Sequence, residues 1–431
     1  MKKPVLIISY YWPPAGGPGV QRWLKFAKYL PDHGYEVTVV IPENPDYPVL
    51  DQSLKKEIPK NVSIIKARIT EPSRMAGKLS RKRTKNLQRG ILKKKASFLE
   101  RALVWTRGNL FIPDARVGWK QHVLRAVELF LSENPECTVI TTGPPHSVHL
   151  IGLELKHLVP SIKWLADFRD PWTTIGYHKD LKLGDRAQKK HEKLEQKVLN
   201  TADLLIVTSP HTGKEFQSKT SKPLQLITNG YDIKPNSNLK QPDGKFVLAH
   251  IGTLLSDRDP QLLWESLQEL CKEIKGFAND LELQLAGNVS EDILDSIEKY
   301  NLSNRLANKG YLSHDQSIEL MFKAQVLLLI EIDSEETKAI LPGKIFEYFA
   351  SRRPIIALGP KGADIELLIT DTHSGEFYNH QQKMALKKQI IHLYDLYKKG
   401  VNDGNSNDLI ERYQRSHLTQ ILAKTIEYVW E

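Results

Sequence analysis

Cysteine is scarce in this sequence: Cys137 and Cys271 are the only two in 431 residues. That is too few for a disulfide framework and fits a reducing compartment. Long apolar runs are missing as well. No window approaches the roughly 20 apolar residues needed to span a bilayer. Met1-Lys2-Lys3 followed by Val5–Ile8 resembles the start of a secretory leader, but Pro13 and Pro14 cut the apolar run short. The expected location is therefore the cytoplasm. Short internal repeats are absent, and so is a histidine, cysteine and carboxylate pattern with metal-ligand spacing. Asp167-Phe168-Arg169-Asp170 is not a metal-binding D-x-D pattern, and no metal is expected.

Acid is missing from one stretch. Arg74 to Lys95 holds ten Lys or Arg and no Asp or Glu. Without those ten, the 61 basic and 51 acidic residues balance, so the net charge of +10 is a local feature. Leu79, Leu87, Ile91, Leu92, Phe98 and Leu99 are interspersed in or just after it. A solvated loop and an interfacial amphipathic helix both fit this pattern. Attraction to anionic headgroups would contribute about 1 kcal/mol per basic residue near the surface. Lys82, Arg83, Lys93, Lys94 and Lys95 are the expected membrane contacts. No nucleic-acid recognition motif accompanies the patch, so nucleic acid is not an expected partner.

With 40% hydrophobic and 26% charged residues the rest reads as an ordinary globular protein. Apolar runs at Pro4–Ile8, Glu36–Ile41, Val62–Lys66, Thr138–Thr142, Lys163–Asp167, Leu204–Thr208 and Leu224–Thr228 alternate with helical patterns such as Gly118–Leu131 and Asp185–Leu199. The alternation resumes at Phe246–Ile251 after a polar tract. It predicts an α/β protein of two Rossmann-like, doubly wound domains facing a central cleft. The expected boundaries are 1–228 for the amino-terminal domain, 229–245 for a linker and 246–407 for the carboxyl-terminal domain. A helix at 408–431 is expected to cross back to the first domain.

The residues suited to chemistry follow strands. Gly16-Gly17-Pro18-Gly19 lies between the first strand and a helix carrying Val20, Trp23, Leu24 and Ala27 on one face. Glycines admit a ligand close to the backbone, and the helix start offers unpaired N–H groups to an anion. Arg22 stands where a dinucleotide fingerprint has its third glycine, which argues against that use. Glu43 beyond the second strand leaves a dehydrogenase as a lesser alternative. Gly143-Pro144-Pro145-His146 opens another helix, with His149 on the same face. Arg169 and Asp170 follow the next strand, as an ion-pair cluster or as an acceptor contact and base. In the second half, Gly252 and Thr253 end a strand and Arg258 precedes a helix. Pro342-Gly343-Lys344 starts another helix, with Glu347 three residues on. Arginine and lysine there suit a diphosphate, and glutamate suits paired ribose hydroxyls.

Taken in order, "PPAGGPGVQRW", "GPPHS", "DFRDPW", "TNGYD", "IGTL" and "LPGKIFEYFASRRPIIAL" resemble glycosyltransferase family 4 of the GT-B fold, of the bacterial surface-polysaccharide and lipopolysaccharide type. The resemblance covers nearly the whole chain. It implies a retaining, metal-independent transfer from a nucleotide-sugar held mainly by the carboxyl-terminal domain, with no cofactor. UDP-sugar is the first expectation and GDP-sugar the second. A lipid-linked or polysaccharide acceptor is implied, at the inner face of the membrane. It places Gly16, Gly17, Glu347 and the helix start at Gly343 and Lys344 at the donor, with His146 contacting it. Together with the residue reading, the donor-binding candidates are Gly16, Gly17, Gly252, Thr253, Gly343 and Glu347. The catalytic candidates are His146, Asp170, Arg258 and Lys344, and Arg169 is an acceptor or membrane contact. Two departures stand out. The first of the family's two glutamates, eight positions apart, falls on Ala339. Thr253 occupies a position where arginine is common, and Arg258 approximates the usual lysine. A nucleotide-sugar epimerase of related fold and a non-catalytic adaptor binding membrane or nucleic acid are the competing readings.

Overall fold

The computed structural model describes residues 2–71, 98–174, 181–233, 244–401 and 408–431. The chain forms two compact units, Met1–Asn229 with Arg415–Glu431, and Gly230–Gln414. The basic segment and its five singled-out residues lie outside the described residues, as does most of the polar tract before Phe246.

The first unit is built on seven parallel strands: β1 (Lys3–Ile8), β2 (Tyr35–Pro42), β3 (Ser63–Ala67), β4 (Thr138–Gly143), β5 (Lys163–Phe168), β6 (Leu204–Val207) and β7 (Leu224–Leu226). Their order is β3-β2-β1-β4-β5-β6-β7. Central strands read as nearly unbroken apolar runs, because helices cover both faces of a parallel sheet. Val5 to Ile8 are fully buried, and all six residues of β4 are buried. β1 pairs with β2 on one side and β4 on the other, so the winding reverses there. Ligands of open α/β sheets bind at the carboxyl ends of strands beside such a reversal.

The helix Pro18–Tyr29 starts with proline, whose fixed φ suits a first turn, behind Gly17 at φ +111°. It buries Val20, Trp23, Leu24, Phe26 and Ala27. Gly34, left-handed at φ +86°, turns the chain into β2. The last helix, Arg415–Tyr428, belongs to this same unit and buries Leu418, Leu422 and Ile426. The Tyr35 hydroxyl donates to the Ala423 carbonyl at 3.1 Å, and Trp430 Nε1 donates to Thr138 Oγ1 at 2.9 Å.

The second unit repeats the plan with β8 (Phe246–Ile251), β9 (Leu281–Ala286), β10 (Leu306–Gly310), β11 (Val326–Ile330), β12 (Ile355–Leu358) and β13 (Gly375–Tyr378). The order β10-β9-β8-β11-β12-β13 is again all parallel and reverses between β8 and β11. Two apolar layers sandwich the sheet, one around Trp264 and Leu328, the other around Phe346 and Leu329.

Several elements differ from the sequence reading. The expected helix Gly118–Leu131 is two, Trp119–Ala126 and Glu128–Glu133, with Val127 at φ −100° and ψ 0° between them. Tyr231, read as linker, is 5% exposed in the second core, and its N–H donates to the Tyr413 carbonyl at 3.1 Å. That bond also keeps the short 3₁₀ turn Asp408–Tyr413 in the second unit, so the terminal helix starts at Arg415. Strand β13 and the helix Asp364–Thr372 were not foreseen. Each is short, and β13 begins on glycine. No helix among the described residues is long and apolar enough to cross a membrane.

Candidate functional site

In the first unit three loops meet at the carboxyl edge of adjacent strands. Gly16 is pinned through its N–H to the Val49 carbonyl at 3.1 Å, and Gly17 stands exposed before the helix. Gly19 lies under Arg169: a Cβ there would come 1.4 Å from Arg169 Nη1 and push the guanidinium aside. Arg169 in turn donates from its backbone N–H to the Gly143 carbonyl at 3.0 Å, from Nε to that carbonyl at 3.3 Å, and from Nη2 to the Pro144 carbonyl. A Cβ on Gly143 would come within 2.6 Å of His149 Nε2 and 3.0 Å of His146 Nδ1. The structure thus brings Gly16 to Gly19, Gly143 to His146, and Arg169 together.

His146 is 5% exposed and stacks face to face on Trp172, centroids 5.0 Å apart and rings 4° from parallel. Trp172 Nε1 donates to His191 Nδ1 at 3.1 Å, which fixes the plate on which His146 rests. His149 is fully buried and bonds Thr141 Oγ1 through Nδ1 at 2.9 Å. Burial pushes its pKa down to about 3, so it stays neutral at ordinary pH. Asp170 follows Arg169, half-buried. Burial raises its carboxyl above the ordinary range while the neighbouring guanidinium pulls the other way.

Arg22 and Asp167 have a different part. Arg22 is 1% exposed, with Nη2 2.7 Å from Asp167 Oδ1, Nε 3.4 Å from Oδ2 and Nη1 donating to the Thr228 carbonyl at 2.7 Å. Trp23 Nε1 and Thr142 Oγ1 each donate to Asp167 Oδ2 at 2.8 Å. Arg22 is therefore not a charge offered to a ligand but a buried brace tying the first helix to β5. The sequence spacing gives no sign of this long-range pair.

In the second unit the carboxyl ends of β8 and β11 carry the charged groups. Gly252, at φ +128°, turns the chain so that a Cβ would sit 3.3 Å from Lys344 Nζ. Against it packs Gly287, where a Cβ would meet the Gly252 carbonyl at 2.3 Å. Arg258 donates to the Thr253 carbonyl at 3.4 Å and to Glu331 Oε2 at 3.2 Å. Lys344 begins the helix Gly343–Ser351, whose first turn has no acidic residue, and its Nζ lies 3.4 Å from His250 Nε2. Glu347 is one turn further on the same face, half-buried.

Burial pushes the Lys344 amine down to about 8, Glu331 opposing and Arg258 adding to the shift. Burial holds Glu331 up against the pull of Arg258 and Lys344. His250 is held well below its usual range by burial, then by Lys344. The arrangement concentrates two cations and free helix N–H groups at one sheet edge, which suits a phosphate ester. His250 and Glu331 were not among the sequence candidates. The signal for Glu331 is an acid ending the apolar run Val326–Ile330, at a topological reversal. Among the described residues no three His, Cys, Asp or Glu converge as metal ligands.

No protein-family model matches the chain, and no curated protein sequence matches it. Solved structures do. Sucrose-phosphate synthase from Thermosynechococcus elongatus superimposes with a TM-score of 0.59 at 15% identity, over 100% of this chain and 98% of that one. HepE of Anabaena, solved with UDP-glucose, gives 0.59 at 16% identity over 99% of each chain. WaaG, a glycosyltransferase of lipopolysaccharide biosynthesis, gives 0.52 at 14% identity over 98% of this chain and 99% of that one. What this chain shares with them at such identity is the fold, the two doubly wound α/β domains of the GT-B class.

Proposed function

We propose that this protein is a retaining, metal-independent glycosyltransferase of the family 4 kind. It moves a sugar from a nucleotide-sugar to a lipid-linked or polysaccharide acceptor in cell-surface glycan synthesis. The observation that carries the reading is the group at the edge of the second sheet: Lys344, Arg258 and the first-turn N–H groups of Gly343–Ser351. Its charge suits a diphosphate. The shared fold of HepE, a protein holding UDP-glucose, supports a UDP-sugar as donor, with GDP-sugar second.

In this reading Glu347 accepts hydrogen bonds from the ribose hydroxyls. Gly252, Thr253 and Gly343 let the backbone approach the donor. His146, on its Trp172 plate, and Asp170 meet the transferred sugar and the acceptor, and Arg169 holds their loops in register. Retention proceeds by front-face displacement. The acceptor oxygen bonds to the anomeric carbon as the carbon–phosphate-oxygen bond breaks, and the hydroxyl proton passes to the departing phosphate. Lys344 and Arg258 stabilise the charge that develops on the leaving group. No cofactor takes part. The protein works in the cytoplasm at the inner membrane face, which the basic segment 74–95 contacts.

Melting temperature against UDP, GDP and their sugar conjugates, without added metal, tests this. A ligand at one hundred times its Kd adds about 2.7 kcal/mol. A larger shift with one conjugate than with its nucleotide is the expected result, and no shift with any would overturn the reading. Conversion of the conjugate with no acceptor present would make the protein an epimerase instead.

A further inference from the structure

Glu331 is a poorly satisfied buried charge at the edge of the second sheet. Its backbone is fixed, the N–H donating to the Leu358 carbonyl at 2.8 Å, and its side chain is 3% exposed. Oε2 accepts one bond from Arg258 at 3.2 Å. Oε1 is buried and has no hydrogen-bond partner among the described residues, and neither has Arg258 Nε. Lys344, the other cation, directs Nζ to His250 at 3.4 Å rather than to the carboxylate.

Asp167 shows what a purely structural buried carboxylate looks like in the same chain. Four donors from Arg22, Trp23 and Thr142 converge on it between 2.7 and 3.4 Å. Glu331 keeps one long bond where a carboxylate has room for about four. A half-satisfied buried polar network is costly and is retained where something else completes it. An ionised carboxylate only accepts, so what completes it must bring a donor. The two cations beside it call for an anion. A ligand with both is a phosphate ester of a polyol.

We infer that Glu331 Oε1 accepts a hydrogen bond from a hydroxyl of the sugar being transferred, and that this contact selects the donor sugar. The inference rests on the nucleotide-sugar reading of this site. Ribose is taken by Glu347 in that reading, which leaves the sugar on the far side of the diphosphate for Glu331. A site built around a hydroxyl rejects the analogue lacking it far more strongly than a pocket rejects a methylene.

Titration calorimetry of wild type and Glu331→Gln with UDP, UDP-glucose, UDP-galactose, GDP and GDP-mannose decides the matter. The expected result is a conjugate that binds wild type at least tenfold tighter than its nucleotide. Glu331→Gln keeps the nucleotide within about threefold and loses that advantage. Unchanged advantage overturns the inference. So does a parallel loss of nucleotide and conjugate, which would mean that Glu331 acts only by holding Arg258. Wild type that binds nucleotide with no preference for a conjugate overturns it too, and leaves the nucleotide site standing. Wild type that binds none of the five overturns the site reading and this inference together. Should Glu331→Gln not fold, binding of monodeoxy analogues of the preferred conjugate to wild type replaces it. One hydroxyl must cost at least tenfold; equal binding of all analogues sinks the proposal.

Discussion

Removing the Asp167 carboxylate tests whether the first glycine turn is held by a buried ion pair. In Asp167→Ala, Arg22 keeps its bond to the Thr228 carbonyl but loses both contacts to the carboxylate, at 1% exposure. Trp23 Nε1 and Thr142 Oγ1 lose their acceptor in the same step. Breaking one side of a buried pair costs about 3–5 kcal/mol, since the remaining charge is uncompensated. An orphaned neutral donor adds about 1–3 kcal/mol, less where water enters the cavity. For a domain of this size each kcal/mol moves Tm by about 2–4 °C, so the drop is on the order of 10 °C. Differential scanning calorimetry measures the drop. Arg22→Met with Asp167→Leu removes both charges together. That double variant should be less destabilised than the two single changes summed, by about 2 kcal/mol. A drop in Asp167→Ala of under about 3 °C, or strict additivity in the cycle, refutes the buried brace. Arg22 would then be free to serve a ligand.

Lys344 supplies a pH dependence. Its amine titrates near 8 instead of 10.5, so the charge it offers an anion is present below about 8 and lost as pH rises through that value. UDP affinity should therefore fall between pH 7.2 and 9.5, and Lys344→Arg should flatten the profile; the same slope in both proteins refutes the assignment. In the free protein the sign is opposite: the folded state binds fewer protons than the unfolded one from about 8 up to 10.5, so stability rises with pH there. Glu347→Ala should reduce transfer at least tenfold with an unchanged circular dichroism spectrum, and a normal purified rate would remove Glu347 from the site. Co-sedimentation with anionic liposomes should drop when Lys82, Arg83, Lys93, Lys94 and Lys95 become Ser; equal sedimentation returns the segment to a solvated loop.

Much of the fold is legible because a parallel sheet writes itself into the sequence. Val5–Ile8, Val139–Thr142 and Leu327–Ile330 are buried on both faces and read as unbroken runs, each followed by a glycine or charged turn. Strand β13 was missed since it has only four residues, starts on glycine and lies at a sheet edge, with Tyr378 alone buried. Tyr231 was misread because the polarity of its neighbours says nothing of a contact with Tyr413, over 180 positions away. The helix break at Val127 has the same origin: the apolar pattern continues through it, and packing sets the bend.

The site divides along the same line. Gly17, Gly19 and Gly252 are legible locally: φ of +111° at Gly17 and +128° at Gly252 favours glycine, and a Cβ at Gly19 would meet Arg169. Lys344 and Glu347 are legible from helical spacing alone. Arg22 and Asp167 were not, because a charge beside a glycine turn looks the same in sequence whether it faces ligand or core. The difference is 145 residues of chain folded back to put Asp167 under Arg22. Glu331 lies at the other extreme. Its neighbours in sequence make it the end of a strand, and only the bonds it fails to make at the sheet edge mark it for chemistry. Buried charges of the two kinds are separated by counting donors, and the count is a property of the fold rather than of any motif.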